Sequence, residues 1–218
     1  RANQLLSVTP SEFDHYQQNF AYSLELLQPI LGDDHFIPIA MGARLPNFDG
    51  MRLQLAEQHY QFTGQAVFPD HIQPTADFIQ KVARRYLYAP YLPGGRSPMG
   101  IDDSGFTQIV FLMTGIQLPR EAGQQVFQGD DVDFIEQAVP ADLAFFENNR
   151  GRISHVGIVM PDKQIIHVHG RVRLDKLDHY GIFDDSQQKY THRLRVIKRL
   201  LPTLLPSGHP NHSKQQVR

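Results

Sequence analysis

The order of helical and strand patterns is the strongest constraint on the fold of this 218-residue chain. Apolar residues recur at helical spacing over about residues 75–87 and again over about 102–115. Four short apolar segments with strand character follow, at residues 142–146, 153–160, 164–168 and 193–200. Helices followed by antiparallel strands are typical of an α+β domain. We therefore predict such a domain over residues 73–201.

A different pattern precedes that domain. A capping box is predicted from the spacing of Thr9 and Glu12, and Pro10 suits the first turn of the helix that follows. The apolar residues after them predict a helix that packs one face on a neighbour: Phe13, Tyr16, Phe20, Leu24 and Leu27. Short alternating strands and turns between His35 and Phe68 then indicate a small β-barrel or part of one.

The two ends of the chain and its overall charge narrow the class of protein further. We predict a β module at residues 1–72 and a disordered tail at 202–218, which is rich in polar residues and proline. The 21 basic and 23 acidic side chains nearly balance, which argues against nucleic-acid binding. The sequence has no run of about 18 apolar residues, so we predict no membrane-spanning helix. The first residues do not resemble a signal peptide, so we expect either none or a processed chain.

The sequence contains no cysteine, which excludes disulfides, thiolate metal ligands and a cysteine nucleophile. Three segments nevertheless combine residue types used in nucleophilic catalysis: 100–106, 154–157 and 166–170. The first leads into a helix N-terminus, where the helix dipole favours an anion and lowers the pKa of a thiol. The other two place histidines on neighbouring strands, where a base and its orienting partner can meet.

These segments resemble the NlpC/p60 family of cell-wall cysteine peptidases. Members carry a loop of the form Y-L-W-G-G-R-S-P-x-G-I-D-C-S-G-F, and this chain has Y-L-P-G-G-R-S-P-M-G-I-D-D-S-G-F at residues 91–106. The family segments P-G-D-L-x-F-F, H-V-G-I and I-I-H have counterparts at residues 140–146, 155–158 and 165–167. The resemblance covers about residues 75–200.

The resemblance implies a papain-like fold that cuts peptidoglycan stem peptides, often between D-glutamate and a diamino acid. It also implies an SH3-like module ahead of that domain and a location in the bacterial envelope, periplasmic or secreted. Asp103 stands at the nucleophile position, His155 at that of the general base and His167 at that of the orienting residue. The positions that resemble the substrate-binding loop are Tyr91, Arg96, Asp102 and Ser104. No cofactor is implied.

Aspartate in place of cysteine leaves three interpretations open. In the favoured one, Asp103 is part of a helix cap and pairs with His155, so that catalysis is lost while stem-peptide binding is kept. In the second, the chain is an active endopeptidase in which a cysteine at position 103 was altered. In the third, a zinc ion is held by His155, His167, His169 and Asp103. Arginine and lysine residues on the late strands, from Arg171 to Arg199, are interpreted as a solvated sheet face.

Overall fold

A computed structural model describes residues 7–202, with four α-helices and sixteen β-strands in that range. No helix within it is long and apolar enough to cross a membrane. From residue 203 onward, the predicted tail lies outside the described residues and stays a prediction.

The first helix begins where it was predicted to begin, but it is shorter than predicted. α1 spans Pro10–Gln18, and the Glu12 N–H donates to Thr9 Oγ1 at 3.3 Å while Glu12 Oε2 accepts from the Thr9 N–H at 2.7 Å. The expected continuation to Leu27 is wrong, because the chain turns into strands β1 (Phe20–Ser23) and β2 (Leu27–Leu31). α1 buries none of its residues, so its apolar spacing does not create a packing face.

The residues up to Val67 form two small antiparallel sheets. The remaining strands are β3 (Phe36–Ala40), β4 (Arg44–Pro46), β5 (Arg52–Leu55), β6 (Gln58–Gln61) and β7 (Ala66–Val67). One sheet has the order β4-β1-β7 and the other β3-β2-β6-β5. Both sheets contribute to one apolar cluster of Ile30, Leu45, Leu53, Tyr60 and Phe62. Because side chains of the two sheets share this core, the unit is a small barrel-like structure, as predicted.

Three helices lie between this unit and the large sheet. α2 (Ala76–Arg85) is capped by Thr75, whose Oγ1 accepts from the Phe78 N–H at 3.2 Å. The short strands β8 (Arg96–Ser97) and β9 (Gly100–Ile101) form a hairpin that leads into α3 (Asp103–Leu112). α4 (Ala122–Gln125) follows. α2 and α3 lie within the two segments whose apolar spacing predicted helices.

The second half is dominated by one antiparallel sheet. Its strands are β10 (Asp130–Val132), β11 (Leu143–Glu147), β12 (Ile153–Met160), β13 (Gln164–His169), β14 (Arg171–Leu177), β15 (Gly181–Asp184) and β16 (Lys189–Arg199). They follow the order β10-β16-β11-β12-β13-β14-β15, and β15 also pairs with β16, so the sheet closes on itself. α3 packs on β12 and β13. The α+β prediction is confirmed, although the sequence did not reveal β10, β14 and β15.

One apolar core joins the helices to both β regions. Phe106 and Phe111 of α3 meet Phe145 and Ile166 of the large sheet within it. Tyr22 of β1 and Met41, which directly follows β3, belong to the same cluster. Burial of this continuous core fixes α3 against the sheet, and the start of α3 therefore has a defined position over β12.

Candidate active site

A glycine-rich hairpin lies directly against the start of α3. A Cβ atom on Gly95 would lie 2.3 Å from the Gly100 carbonyl oxygen, and one on Gly105 would lie 2.5 Å from the Gly95 oxygen. Both distances are far below van der Waals contact, so residues 95 and 105 have to be glycine for the hairpin to approach the helix. The hairpin in this way limits the space around the first turn of α3.

Asp102 is the N-cap of α3 and its carboxylate is saturated with donors. Oδ1 accepts from the Gly105 N–H at 2.7 Å, while Oδ2 accepts from the Gly94 N–H at 2.8 Å and from Arg120 Nη2 at 2.5 Å. Burial works to raise the pKa of Asp102, but the hydrogen bonds from Arg120, Gly105 and Gly94 outweigh it and hold the pKa below its usual range. Arg120 also donates to the buried Ser104 Oγ at 2.9 Å. The predicted cap is therefore formed by Asp102, while Asp103 is the first residue of the helix and does not cap it.

Asp103 is the first residue of α3 and faces the large sheet. Its Oδ2 accepts from the Val156 N–H at 3.0 Å and lies 3.1 Å from His155 Nδ1. Among the described residues, no hydrogen bond to its Oδ1 is found, and 17% of the side chain is exposed. One carboxylate oxygen is therefore engaged by the sheet, and the side chain remains partly exposed.

Two buried histidines continue from Asp103 into the sheet. His155 lies on β12 and His167 on β13, in the antiparallel register that pairs Gly157 with His167. His155 Nε2 is 2.9 Å from His167 Nδ1, and His167 Nε2 is 2.8 Å from Asp175 Oδ2. The structure thus brings together the three residues predicted for the catalytic positions and extends the chain of contacts to a fourth.

Asp175 is held by an ion-pair network that sequence reasoning missed. Arg173 forms two contacts of 2.7 Å with the Asp175 carboxylate and one of 3.0 Å with Asp184. Arg173 was interpreted as part of a solvated face, but its partner carboxylates on β14 and β15 are buried. The signal that could have revealed the network is Arg173-Leu174-Asp175 on the strand beside His167, with two residues facing the same side.

Two more histidine rings lie beside this pair. His192 of β16 stacks on His155 with ring centroids 4.1 Å apart, and its Nδ1 is 2.9 Å from Thr191 Oγ1. His169 is exposed at the end of β13, with its centroid 6.4 Å from that of His167 and 5.2 Å from that of His192. His192 also lines a surface groove of about 810 Å³ with Ser154, Tyr180 and Tyr190, among others.

The contacts constrain where the protons lie. An ionised carboxylate only accepts hydrogen bonds, so His167 carries a proton on Nε2 toward Asp175. His167 Nδ1 then accepts, and a proton on His155 Nε2 completes the hydrogen bond of 2.9 Å between the two rings. Burial is the main reason that the pKa of His167 falls to about 4, and the hydrogen bond to Asp175 only partly opposes it. The hydrogen bonds therefore run from His155 through His167 to Asp175, and His155 Nδ1 faces the Asp103 carboxylate at 3.1 Å.

The residues predicted to bind substrate do not all lie at this cluster. Tyr91 is 48% exposed, and its N–H donates to the Gly170 carbonyl oxygen at 3.0 Å, near the end of β13. Arg96 is exposed and lines another cavity of about 300 Å³ together with Arg44. Asp102 and Ser104 flank Asp103 but are already engaged by Arg120.

Sequence comparison places these elements in a known group. A profile of the NlpC/P60 family matches residues 88–195. Gamma-D-glutamyl-L-lysine dipeptidyl-peptidase of Bacillus cereus is 32% identical over 166 residues, which are 75% of this chain and 46% of that protein. Probable endopeptidase NlpC of Escherichia coli is 39% identical over 80 residues, 36% of this chain and 51% of that protein. The chain thus spans about half the length of these two relatives.

The fold agrees with the sequence comparison. The crystal structure of an NlpC/P60 family protein from Bacillus cereus superposes with a TM-score of 0.74, covering 89% of this chain and 68% of that one at 23% identity. At that identity the likeness shows a shared fold and no more. With the motif order, the family profile and the fold in agreement, residues 88–195 of this chain are an NlpC/P60 family domain, and the matched relatives are named as peptidases.

Proposed function

We propose that this chain binds peptidoglycan stem peptides in the bacterial envelope without hydrolysing them. The observation that carries the proposal is the contact of Asp103 with His155 in a chain that has no cysteine. Asp103 stands where the family resemblance expects the nucleophile. Its carboxylate is a weak nucleophile toward an amide, and it lies against His155 Nδ1, the nitrogen that would have to take a proton from a nucleophile.

The same change creates a site for a positively charged group. A stem peptide with a free amino end carries an ammonium ion, and the free Oδ1 of Asp103 can accept a charge-assisted hydrogen bond from it. Asp102 has less capacity for this contact, because three donors already occupy its two oxygens. We therefore assign the amine contact to Asp103.

Relatives indicate which peptide to test. The Bacillus cereus relative is named for the gamma-D-glutamyl-L-lysine bond. We infer a ligand of the same class for this chain, an L-alanyl-γ-D-glutamyl peptide that ends in a diamino acid. Tyr91 is 48% exposed and is the exposed aromatic residue nearest in sequence to the glycine hairpin.

Calorimetry with free and N-acetylated peptides tests this function. We expect acetylation to weaken binding by about 1.5–3 kcal/mol, because it removes the charge that Asp103 recognises. The variant Asp103→Asn should lose the same discrimination, while His59→Gln, an exposed residue of β6, should retain it. Equal affinity for both peptides, or release of a new amino end from muropeptides, would contradict the proposal.

For the N-terminal region, we infer an SH3-like module over residues 1–72, followed by the peptidase-like domain over 73–201. The support is the pair of small sheets around one apolar cluster. Limited proteolysis should cut first within residues 69–74, leaving two fragments that stay associated through Tyr22 and Met41. First cleavage within either sheet would contradict this boundary.

A further inference from the structure

We propose that His155, His167 and His192 form a binding site for one Zn²⁺ ion. One ring nitrogen from each of the three lies within 4.8 Å of the others. Imidazole nitrogen is a preferred zinc ligand, and three protein ligands with one open position are common in zinc sites. The set includes His192 instead of the exposed His169 that the sequence suggested.

Two of the three rings are already oriented as in metal sites. A metal-bound histidine almost always donates its second N–H to a carboxylate, carbonyl or water, which fixes the tautomer. His155 has Asp103 in this position at 3.1 Å, and His167 has Asp175 at 2.8 Å. Arg173 in turn fixes the Asp175 carboxylate through two contacts. The remaining nitrogens, His155 Nε2 and His167 Nδ1, therefore point at one another.

Without a metal, these facing nitrogens share one proton in a hydrogen bond of 2.9 Å. For zinc to bind both nitrogens, that proton has to leave His155 Nε2. The neutral ring can carry it on Nδ1 instead, which faces the Asp103 carboxylate at 3.1 Å. With Zn–N bonds of about 2.0–2.1 Å and tetrahedral angles, the nitrogens would be about 3.4 Å apart, which requires an opening of about 0.5 Å.

His192 supplies the movable ligand. Thr191 Oγ1 lies beside its Nδ1, which leaves Nε2 for an ion. The rings of His192 and His155 are inclined by only 26°, so His192 has to rotate for its nitrogen to point at the same ion. It can do so because it is half-buried and lines the 810 Å³ groove. That groove also gives the ion an entry path and leaves the fourth coordination position for water or a peptide oxygen.

The experiment is a zinc titration of the full chain after removal of metals with a chelator. Calorimetry should give one site per chain, and His192→Gln should weaken it at least tenfold. Asp175→Asn should weaken binding about 10–100-fold, because it removes the group that orients His167. X-ray absorption should show nitrogen neighbours at about 2.0–2.1 Å.

Matched controls separate this site from other histidines. His59→Gln should bind zinc as the unchanged protein does, and so should His209→Gln/His212→Gln, which removes histidines outside the described residues. Circular dichroism of each variant checks that it is folded. The proposal is overturned if the chain takes up no zinc, if His192→Gln binds as tightly as the parent, or if the His209/His212 variant loses the site.

The zinc site and the peptide function can fail separately. Zinc is titrated without peptide, while peptide binding is measured in chelator. Loss of zinc binding alone leaves the amine contact of Asp103 untouched, and loss of peptide binding alone leaves the histidine site intact.

Discussion

Asp102 and Asp103 are neighbours at the start of one helix, yet they have opposite surroundings. Asp102 accepts from two backbone N–H groups and from Arg120, so its charge is fully matched. Asp103 accepts from one backbone N–H and meets a histidine whose charge depends on a proton. The first carboxylate stabilises the helix start, and the second is available to a ligand.

The difference follows from the direction each side chain takes. The N-cap residue turns back over the free N–H groups of the helix, which is the role of Asp102. The next residue points out of the first turn, and α3 lies on β12 and β13, so Asp103 reaches His155. The residue on this face can therefore change without loss of the cap, and a fold can persist when the chemistry of its site differs.

The largest expected effect is a gain of function in Asp103→Cys. The thiol would stand at a helix N-terminus, where its pKa is lowered, and the His155–His167–Asp175 contacts would remain. We expect release of new amino ends from muropeptides at least about 100-fold above the parent chain. The double variant Asp103→Cys/His155→Gln should return to the parent level. A folded but inactive Asp103→Cys would mean that the cleft no longer orients a peptide bond.

The next effect is on stability at low pH. His167 has its pKa lowered from 6.5 to about 4 by burial, so the unfolded chain binds more protons between these values. Its contribution to stability is complete above about pH 6.5 and is lost as the pH falls toward 4, by up to about 3 kcal/mol. Urea unfolding at pH 7.5 and 4.5 should show a smaller decline for His167→Gln than for the parent. An equal decline in the free energy of unfolding of the two proteins would contradict this prediction.

Arg120→Met tests the structural role of Asp102. The change leaves the Asp102 carboxylate and the buried Ser104 hydroxyl without their common partner. We expect a loss of about 2–3 kcal/mol in the free energy of unfolding. Peptide affinity, measured on the fraction that is folded, should change much less than in Asp103→Asn. A large affinity loss with unchanged stability would reverse the roles assigned to the two aspartates.

The smallest expected effect is that of Arg96→Ala. Arg96 is exposed and lines a different cavity from the one that holds the histidines. We expect a change in stability within about 0.5 kcal/mol and less than a twofold change in peptide affinity. A tenfold loss of affinity would show that the peptide extends over the glycine hairpin, as the sequence-based assignment of Arg96 to the binding site implies.

The sequence alone was sufficient for elements whose determinants are local. The cap at Thr9 and Glu12 depends on residues three positions apart, and so does the bond from the Gly105 N–H to Asp102. The motif order around Asp103, His155 and His167 likewise indicated the family and the site. Beyond Gln18 the apolar spacing predicted a continuing helix, but the chain forms β1 and β2 there. Apolar residues in successive short strands can fall at helical spacing by coincidence.

What the sequence determined by itself was the fold class, the family resemblance and the absence of a thiol, and it predicted three site positions that the structure brings together. Only the tertiary structure decided which charges are buried, because strand pairing sets which side chains lie side by side. Arg173 and Asp175 support His167 through the pairing of β13 with β14, and His192 lies beside His155 because β16 pairs with β11 and β15. The contact of His192 with His155 joins residues that are distant in the chain, and no local pattern encodes the strand register that makes it.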